Sequence, residues 1–452
     1  MTQNEPNKTK EFALEKNRAE WGDLFERIGQ PAYRAAQICA WLWKRGVWDP
    51  SEMTDFGKPL REQLAELVDF TYPQISKEDR SKDGTRKFLL TMRDGVQVEA
   101  ALLKQEDRLT ACISTQAGCP VGCPFCQTGA SGFERNLTKG EIAGQLIVME
   151  RHIGRPINNL VLMGMGEPFL NLDAVFGAIQ MLNDPKMREL GIRHITISTA
   201  GIVPGIQRMA ESGLGARLAV SLHATNDELR DELVPCNTSH PLSELLDALR
   251  DYQERTGDRI TIEYALFKGV NDTLVHAREL VRILRGLHVY VNLIPGNKNI
   301  AGYETSSPES VLRFQSVLKS AGFESEIRTP RGLDIDAACG QLKSAALTES
   351  KGDVVQNARR DDKGQARGRE TGDTGGRKAD GVRPKHAGVG RQRTVPGDGR
   401  HTLPAERNRG PKPGGRDAGL PAGPSGERNP GERPRDRRGP RGRGKGDARR
   451  SG

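Results

Sequence analysis

The sequence predicts an α/β fold: a partial barrel of six β/α units, with a small helical domain before it and a disordered tail after it. Between residues 110 and 330, short apolar segments rich in β-branched residues alternate with amphipathic helical segments, which is the pattern of repeated β/α units. The strand segments are apolar almost throughout, as is typical of parallel strands covered on both faces. The composition then changes sharply near residue 346. We therefore expect domains at residues 1–95, 96–345 and 346–452.

The first domain is expected to be helical. Apolar residues recur at helical spacing over residues 19–29, 32–45 and 59–67, and this periodicity predicts three amphipathic helices. Trp41 and Trp43 fall in the second of them. We expect these two rings to pack in a core rather than to form a binding stripe.

The predicted strands begin with a hairpin and continue into the barrel. The segments 86–92 and 96–104 flank Arg93-Asp94-Gly95, a sequence typical of a hairpin turn. A further strand is expected at 110–115, before the loop that carries three cysteines. The barrel strands should then be residues 157–163, 194–200, 217–223, 260–267, 289–294 and 324–329. In folds of this kind the chemistry lies at the carboxyl ends of the strands.

The charge of the chain is divided unequally. Residues 351–452 contain 27 Lys and Arg against 13 Asp and Glu, which gives this segment a net charge of +14. Because the whole chain has a net charge of +9, residues 1–350 have a net charge of −5. Residues 346–452 lack Phe, Trp and Tyr and are rich in Gly, Pro and Arg, a composition that cannot bury enough apolar surface to fold. The tail is expected either to solubilise the protein or to bind RNA non-specifically.

The composition also indicates the cellular compartment of the protein. No apolar run approaches the roughly 18–20 residues that a membrane helix needs, and residues 1–10 are polar without the apolar core of a signal peptide. We therefore expect a cytoplasmic protein with no membrane partner. In a reducing compartment, clustered cysteines are more often metal ligands or catalytic groups than disulfides, and three of the seven cysteines lie within eight residues.

Those three cysteines form the loop Cys119-Pro-Val-Gly-Cys123-Pro-Phe-Cys126. Three thiolates with Gly and Pro between them can surround a 4Fe–4S cluster and leave one iron open. An open iron can chelate the amino and carboxylate groups of S-adenosylmethionine (SAM) and pass an electron to its sulfonium. The alternative is a zinc site with Cys112 or a distant histidine as fourth ligand, but zinc sites more often use two C-x2-C pairs. Phe125 is expected to flank the cofactor.

Several motifs in order resemble the RlmN/Cfr family of radical SAM RNA methyltransferases. They are Cys112-Ile-Ser-Thr-Gln-Ala-Gly-Cys119 with the residues up to Thr138, Gly164-Met-Gly-Glu-Pro168, Ser221-Leu-His-Ala224 and Asp336-Ala-Ala-Cys-Gly-Gln341. The resemblance covers roughly residues 15–345 and leaves out the tail. It implies a radical-SAM barrel that binds one 4Fe–4S cluster through Cys119, Cys123 and Cys126.

The resemblance also implies a SAM site at the strand ends. Glycines after a strand let a backbone approach a ligand closely, and Glu167 offers a carboxylate to the SAM ammonium. Without the resemblance, the turn Gly164–Pro168 is equally well explained as an ordinary turn at the end of a strand. His223 alone is more often a core histidine than a ligand. By the resemblance, the residues expected to bind SAM are Gly166, Glu167, Ser198, Ser221, Leu222, His223 and Asn297.

Two further cysteines stand outside the cluster loop. Cys339 lies among small residues, which suits a thiol that moves between two partners, and Cys112 precedes the loop by seven residues. From the residues alone, each is more often a buried structural thiol, and Glu99 is more often a solvated glutamate on a strand. The resemblance implies that one SAM methylates Cys339 and that a second SAM is cleaved to a radical that activates this methyl group. Cys112 would then resolve the protein–RNA crosslink through a disulfide, and Glu99 would accept the proton. Cys39 and Cys236 are expected to be structural.

The substrate implied by the resemblance is carbon 2 of adenine in 23S rRNA (adenosine 2503), and also in tRNA (adenosine 37). An electron donor such as flavodoxin or ferredoxin is expected. The protein itself is expected to be a monomer. One alternative is methylation of carbon 8, as in the Cfr branch, which shares the cysteine machinery. The other is an RNA-binding protein without enzymatic activity, whose metal cluster is only structural.

Overall fold

A ten-stranded sheet forms the centre of the computed structural model, which describes residues 10–297 and 301–342. Seven of its strands are parallel, and three antiparallel strands extend one edge. The predicted α/β class is therefore confirmed. The predicted tail at residues 346–452 lies outside the described residues, and the predicted domain limits at 95 and 345 stay predictions.

The N-terminal part is a small helical layer, as the periodicity predicted. Trp41 and Trp43 are 8% and 1% exposed, so their predicted place in a core is confirmed. The elements of this layer are strand β1 (Glu11–Phe12), helices α1 (Arg18–Arg27) and α2 (Arg34–Cys39), a π-helical turn (Ala40–Lys44), helix α3 (Lys58–Leu67) and strand β2 (Val68–Asp69). Strand β1 pairs with β2 in parallel.

Three antiparallel strands come next: β3 (Gln74–Arg80), β4 (Arg86–Thr91) and β5 (Gln97–Gln105). The hairpin β4–β5 confirms the prediction, and β5 also pairs with β6 (Arg108–Cys112). Strand β3 was not predicted, because its sequence is almost entirely polar and it lies at the edge of the sheet, where neither face requires apolar side chains.

The cysteine loop lies between two short antiparallel strands, β7 (Gln116–Gly118) and β8 (Phe133–Asn136), with a single helical turn, α4 (Gln127–Ala130), inside it. Gly118 has φ +75°, and a Cβ atom there would lie 1.9 Å from the carbonyl oxygen of Gly132. Only glycine therefore allows the two ends of the loop to approach so closely.

The six predicted barrel strands are confirmed, and all run parallel to β6. They are β9 (Asn159–Leu162), β10 (Ile195–Thr199), β11 (Arg217–Ser221), β12 (Ile260–Leu266), β13 (Val289–Pro295) and β14 (Glu324–Ile327). The helices that connect them are α5 (Lys139–Ile153), α6 (Leu172–Asn183), α7 (Val203–Ser212), α8 (Asp227–Leu233), α9 (Leu242–Thr256), α10 (Leu274–Ile283) and α11 (Pro308–Ser320).

Alternation along the strands separates the two faces of this sheet. On β13, Val291 and Leu293 are fully buried, whereas Asn292 and Ile294 line an internal cavity. The helices thus cover an apolar outer face, and polar side chains are collected on the inner one. Within residues 10–297 and 301–342, no helix combines the length and apolar character needed to cross a membrane.

Candidate active site

A cavity of about 560 Å³ opens at the carboxyl ends of the parallel strands. It brings together almost all the site residues that the sequence predicted; Glu99 and Leu222 are the exceptions. The predicted residues that line it are Cys112, Cys119, Cys123, Cys126, Gly166, Glu167, Ser198, Ser221, His223, Asn297 and Cys339.

The cysteine loop forms one wall of the cavity and is fixed by backbone hydrogen bonds. The amide of Cys119 donates to the carbonyl of Gly132 at 2.8 Å, and the amide of Cys126 donates to that of Cys123 at 3.1 Å. The amide of Gln127 donates to the carbonyl of Gly340 at 2.8 Å. The loop is therefore tied directly to the segment that carries Cys339.

The thiols of this loop suit a metal cluster by their chemistry. Burial raises the pKa of Cys119 to about 12 and that of Cys123 well above its ordinary value. A cationic metal group bound by the deprotonated sulfurs would remove this cost of burying charge. In the part of the chain that the structure describes, no three His, Cys, Asp or Glu side chains are placed to hold a single metal ion. The donor set itself, three soft thiols on one cavity wall, fits a 4Fe–4S cluster.

The turn after β9 is held tightly against the strand of the cysteine loop. A Cβ atom on Gly166, which has φ +101°, would lie 2.6 Å from the side chain of Gln116. The side-chain oxygen of Gln116 accepts a hydrogen bond from the amide of Glu167 at 2.8 Å. The glycine at this position therefore lets the turn lie close to β7, and this contact places Glu167 in the cavity.

Glu167 is a buried carboxylate, 3% exposed. Its two oxygens accept hydrogen bonds from the amides of Phe169 at 3.0 Å and Ala200 at 2.7 Å. Burial nevertheless raises the pKa of Glu167 to about 7, and these amides offset only part of that effect. An ammonium group bound beside it would favour the charged carboxylate.

His223 occupies the strand end that follows Ser221, in the left-handed conformation with φ +59°. Its Nδ1 accepts a hydrogen bond from the amide of Ala265 at 3.0 Å. Burial lowers the pKa of His223 to about 3, so the ring is neutral and its Nε2 carries the proton for donation. The ring of Phe125 meets that of His223 edge-on at 5.3 Å, which places Phe125 beside the predicted SAM pocket.

Leu222 does not line the cavity, because its side chain is fully buried in the apolar core. Its amide donates to the backbone carbonyl of Glu263 at 3.0 Å. Any contact of Leu222 with a ligand in the cavity would therefore come from its backbone. The predicted role of this residue in binding SAM stays a prediction.

Cys112 and Cys339 both line the cavity, from opposite ends of the chain segment that builds the barrel. The side-chain amide of Asn297 donates to the carbonyl of Cys339 at 3.0 Å and so anchors the segment. All seven cysteines are free thiols, so the disulfide implied by the resemblance is not present in this structure. Burial raises the pKa of Cys112 to about 12, with a further contribution from Cys339.

Glu99 lies on the inner side of β5 but is covered. It is 7% exposed, and Lys87 on β4 lies 3.3 Å from its carboxylate. Lys87 is also 3.5 Å from the carbonyl of Asp336, in the segment that leads to Cys339. The predicted role of Glu99 as proton acceptor stays a prediction.

Among the polar residues of the cavity that sequence reasoning missed are Glu263, Asn292 and Arg328. Glu263 and Asn292 are opposite each other on β12 and β13 and are joined by a hydrogen bond of 2.9 Å. The signal for Glu263 was present, because a carboxylate in the middle of an apolar strand must have a partner or a role.

Comparison with known proteins gives two family matches. Residues 113–281 match the family described as "Radical SAM superfamily". Residues 14–69, most of the helical layer, match the family described as "Ribosomal RNA large subunit methyltransferase N-terminal domain". Together the two matches include the helical layer, the cysteine loop and the strands from β9 to β12.

Full-length relatives cover most of the described chain. A protein of Thermotoga neapolitana named "Probable dual-specificity RNA methyltransferase RlmN" is 47% identical over 317 residues, which is 70% of this chain and 92% of that protein. The "Dual-specificity RNA methyltransferase RlmN" of Marinobacter nauticus is 45% identical, over 71% of this chain and 89% of its own. The crystal structure of a radical SAM methyltransferase from Sphaerobacter thermophilus is 42% identical, with a TM-score of 0.71 over 74% of this chain and 99% of that one.

Proposed function

The chain belongs to the RlmN family of radical SAM RNA methyltransferases, and on that premise we propose that it methylates carbon 2 of adenine in 23S rRNA and in tRNA. The observation that carries the proposal is that the three loop cysteines and the separate thiols of Cys112 and Cys339 line one cavity. Relatives named as dual-specificity RNA methyltransferases support two RNA substrates.

Cys119, Cys123 and Cys126 would hold the 4Fe–4S cluster. Bound there, the cluster supplies the electron for the reductive cleavage of SAM. Glu167, at the turn beside the loop, would hold the SAM ammonium, and the neutral ring of His223 would donate a hydrogen bond from Nε2. We assign the remaining SAM contacts to Gly166, Ser198, Ser221, Asn297 and the backbone of Leu222.

Cys339 is the methyl carrier in this proposal. Its sulfur attacks the methyl group of one SAM, forms a thioether and releases S-adenosylhomocysteine. An ordinary methyl transfer directly to the base would fail, because carbon 2 of adenine is not a nucleophile. Small neighbours and the anchor at Asn297 suit a residue that presents its sulfur first to SAM and then to RNA.

Cys112 and Glu99 complete the transfer. After the methyl group on Cys339 has given a hydrogen atom to the radical formed from the second SAM, its carbon bonds to carbon 2 of adenine. Glu99 takes the proton that carbon 2 loses, and one electron would return to the cluster. Cys112 then attacks the sulfur of Cys339, so that a disulfide forms, the carbon–sulfur bond breaks and the released carbon takes a proton to become the methyl group. A cellular reductant must regenerate the two thiols. We also propose that flavodoxin or ferredoxin supplies electrons and that the enzyme acts as a monomer.

The experiment that tests this function maps the new methyl group. Purified protein with its cluster is incubated anaerobically with SAM, a reductant and RNA, and the digested nucleosides are identified by mass spectrometry. We expect 2-methyladenosine from both 23S rRNA and tRNA. A product of 8-methyladenosine would assign the chain to the carbon-8 reaction, and RNA binding without any methylation would leave only the non-enzymatic alternative.

A further inference from the structure

Glu263 is a buried carboxylate with an unused oxygen. The residue is 4% exposed and lines the cavity from the middle of β12. Asn292 donates a hydrogen bond of 2.9 Å to Oε1, whereas Oε2 has no hydrogen-bond partner among the described residues. A buried carboxylate oxygen without a donor is costly, so this oxygen is placed to accept a hydrogen bond from a ligand.

Arg328 lines the same cavity and lies next to Glu263. Its guanidinium nitrogen is 3.8 Å from Oε2 of Glu263, within ion-pair range but too far for a hydrogen bond. The pKa of Arg328 is raised by the neighbouring Cys339 first, and also by Glu263 and Cys112. The guanidinium is therefore beside the carboxylate of Glu263 and interacts electrostatically with the thiols of Cys339 and Cys112.

The Watson–Crick edge of adenine offers an acceptor and a donor that suit these two groups. Carbon 2 is bonded to N1, an acceptor, and N1 is bonded to the carbon that bears the N6 amine, a donor. Enzymes that act on an extruded base read this edge by hydrogen bonds. A base bound with carbon 2 towards Cys339 and Cys112 would bring N1 towards the guanidinium donor and the N6 amine towards the carboxylate acceptor.

We infer that Glu263, supported by Asn292 and Arg328, accepts a hydrogen bond from the exocyclic amine of the target adenine and selects adenine over other purines. The inference rests on the proposed function and adds the group that recognises the base. Guanine and hypoxanthine present an oxygen at the same position, which a carboxylate repels.

A SAM contact is the competing role for Glu263. The carboxylate suited to the SAM ammonium is Glu167, and its charge acts on the thiols of Cys119 and Cys123 in the cluster loop. The pair of Glu263 and Arg328 is coupled instead to Cys339 and Cys112. Glu263 is also in register with Ser221, an assigned SAM contact, and methylation of Cys339 without RNA therefore separates a role in SAM binding from recognition of the base.

The test uses two RNA hairpins that differ only in the target base, adenine or unsubstituted purine, which lacks the amine. Wild-type enzyme with its cluster should prefer adenine, and we compare kcat/KM for the two hairpins in each variant. Glu263→Leu should lower kcat/KM on adenine by about 10- to 100-fold, the value of a hydrogen bond to a charged group, with little change on purine. Glu263→Gln keeps an acceptor oxygen, so its kcat/KM on adenine should lie between the values for wild type and Glu263→Leu. The ratio between variants cancels the different intrinsic reactivity of the two bases.

Glu324 provides the matched control. It lies on β14, but it is exposed, does not line the cavity and pairs with Arg259 at 2.7 Å. Glu324→Gln should keep the wild-type preference. Methylation of Cys339 by SAM without RNA, measured by mass spectrometry, should be unchanged in Glu263→Leu and shows that the variant folds and binds SAM.

The inference is overturned if Glu263→Leu keeps the preference for adenine, or if it loses Cys339 methylation in step with RNA methylation, because Glu263 would then serve SAM. Failure of the wild-type enzyme to methylate carbon 2 of the adenine hairpin would instead refute the proposed function. The two failures are therefore distinct.

Discussion

The ammonium group of Lys87 lies 3.3 Å from the carboxylate of Glu99, and both side chains are buried on neighbouring antiparallel strands. A cation at this distance stabilises negative charge on Glu99, which is the state that a proton acceptor needs. Lys87 is also near the carbonyl of Asp336. One side chain thus connects the proposed base with the segment that carries Cys339.

Lys87→Met should therefore slow RNA methylation by about 100-fold, the lower limit for loss of a positioned acid–base group. It should also lower the free energy of unfolding by about 3 kcal/mol, because Glu99 would remain buried without its partner. Methylation of Cys339 should not change, since that step needs no proton acceptor at carbon 2. The double variant Lys87→Met with Glu99→Gln should recover stability but not activity. Equal RNA methylation by Lys87→Met and wild type would refute the role of this pair.

The cluster assignment predicts the iron content of two cysteine variants. Wild-type protein reconstituted without oxygen should bind about four irons, and Cys123→Ala should bind far fewer. Cys236 is near enough to Cys123 to affect its pKa but is not in the loop, so Cys236→Ala should keep the iron. Iron and zinc are measured by elemental analysis. A colourless, zinc-loaded and fully active preparation would contradict the assignment.

The raised pKa of Glu167 predicts how SAM binding depends on pH. Because burial raises that pKa to about 7, the carboxylate is mostly protonated at pH 6 and mostly charged at pH 8. The affinity for SAM should therefore increase about tenfold over this range, measured by equilibrium dialysis without oxygen. His223 does not contribute, because its pKa is about 3. Glu167→Gln should bind SAM more weakly and without this pH dependence; a variant that retains the dependence would assign it to another group.

The sequence predicted the elements of the fold more completely than the interior of the site. Strands such as β12 and β13 were recognisable because parallel strands covered on both faces are apolar nearly throughout. Strand β3 was not, because a polar edge strand resembles a loop. The cysteine loop and Glu167 were found because their motifs are local. Glu263, Arg328 and Lys87 were missed because their roles depend on neighbours on other strands, and sequence spacing does not contain those distances.

The charge of residues 351–452 predicts a contribution to RNA affinity. These residues carry a net +14, and the structure described here ends before them, at residue 342. Removing them should leave methylation of a short RNA hairpin unchanged and should weaken binding to long RNA, most strongly at low salt. Binding is measured by fluorescence anisotropy at several salt concentrations. Loss of the cluster on truncation would show that the catalytic domain extends beyond residue 350.

The most direct test of the account is the fate of RNA on Cys112→Ala. This variant should still accept a methyl group on Cys339 and attack the adenine, but it has no thiol to break the resulting bond. After anaerobic incubation with SAM, a reductant and RNA, mass spectrometry should find RNA attached through the sulfur of Cys339. Cys339→Ala should bind the cluster and form no adduct. Turnover of Cys112→Ala at the wild-type rate, with no trapped RNA, would contradict the two-cysteine mechanism.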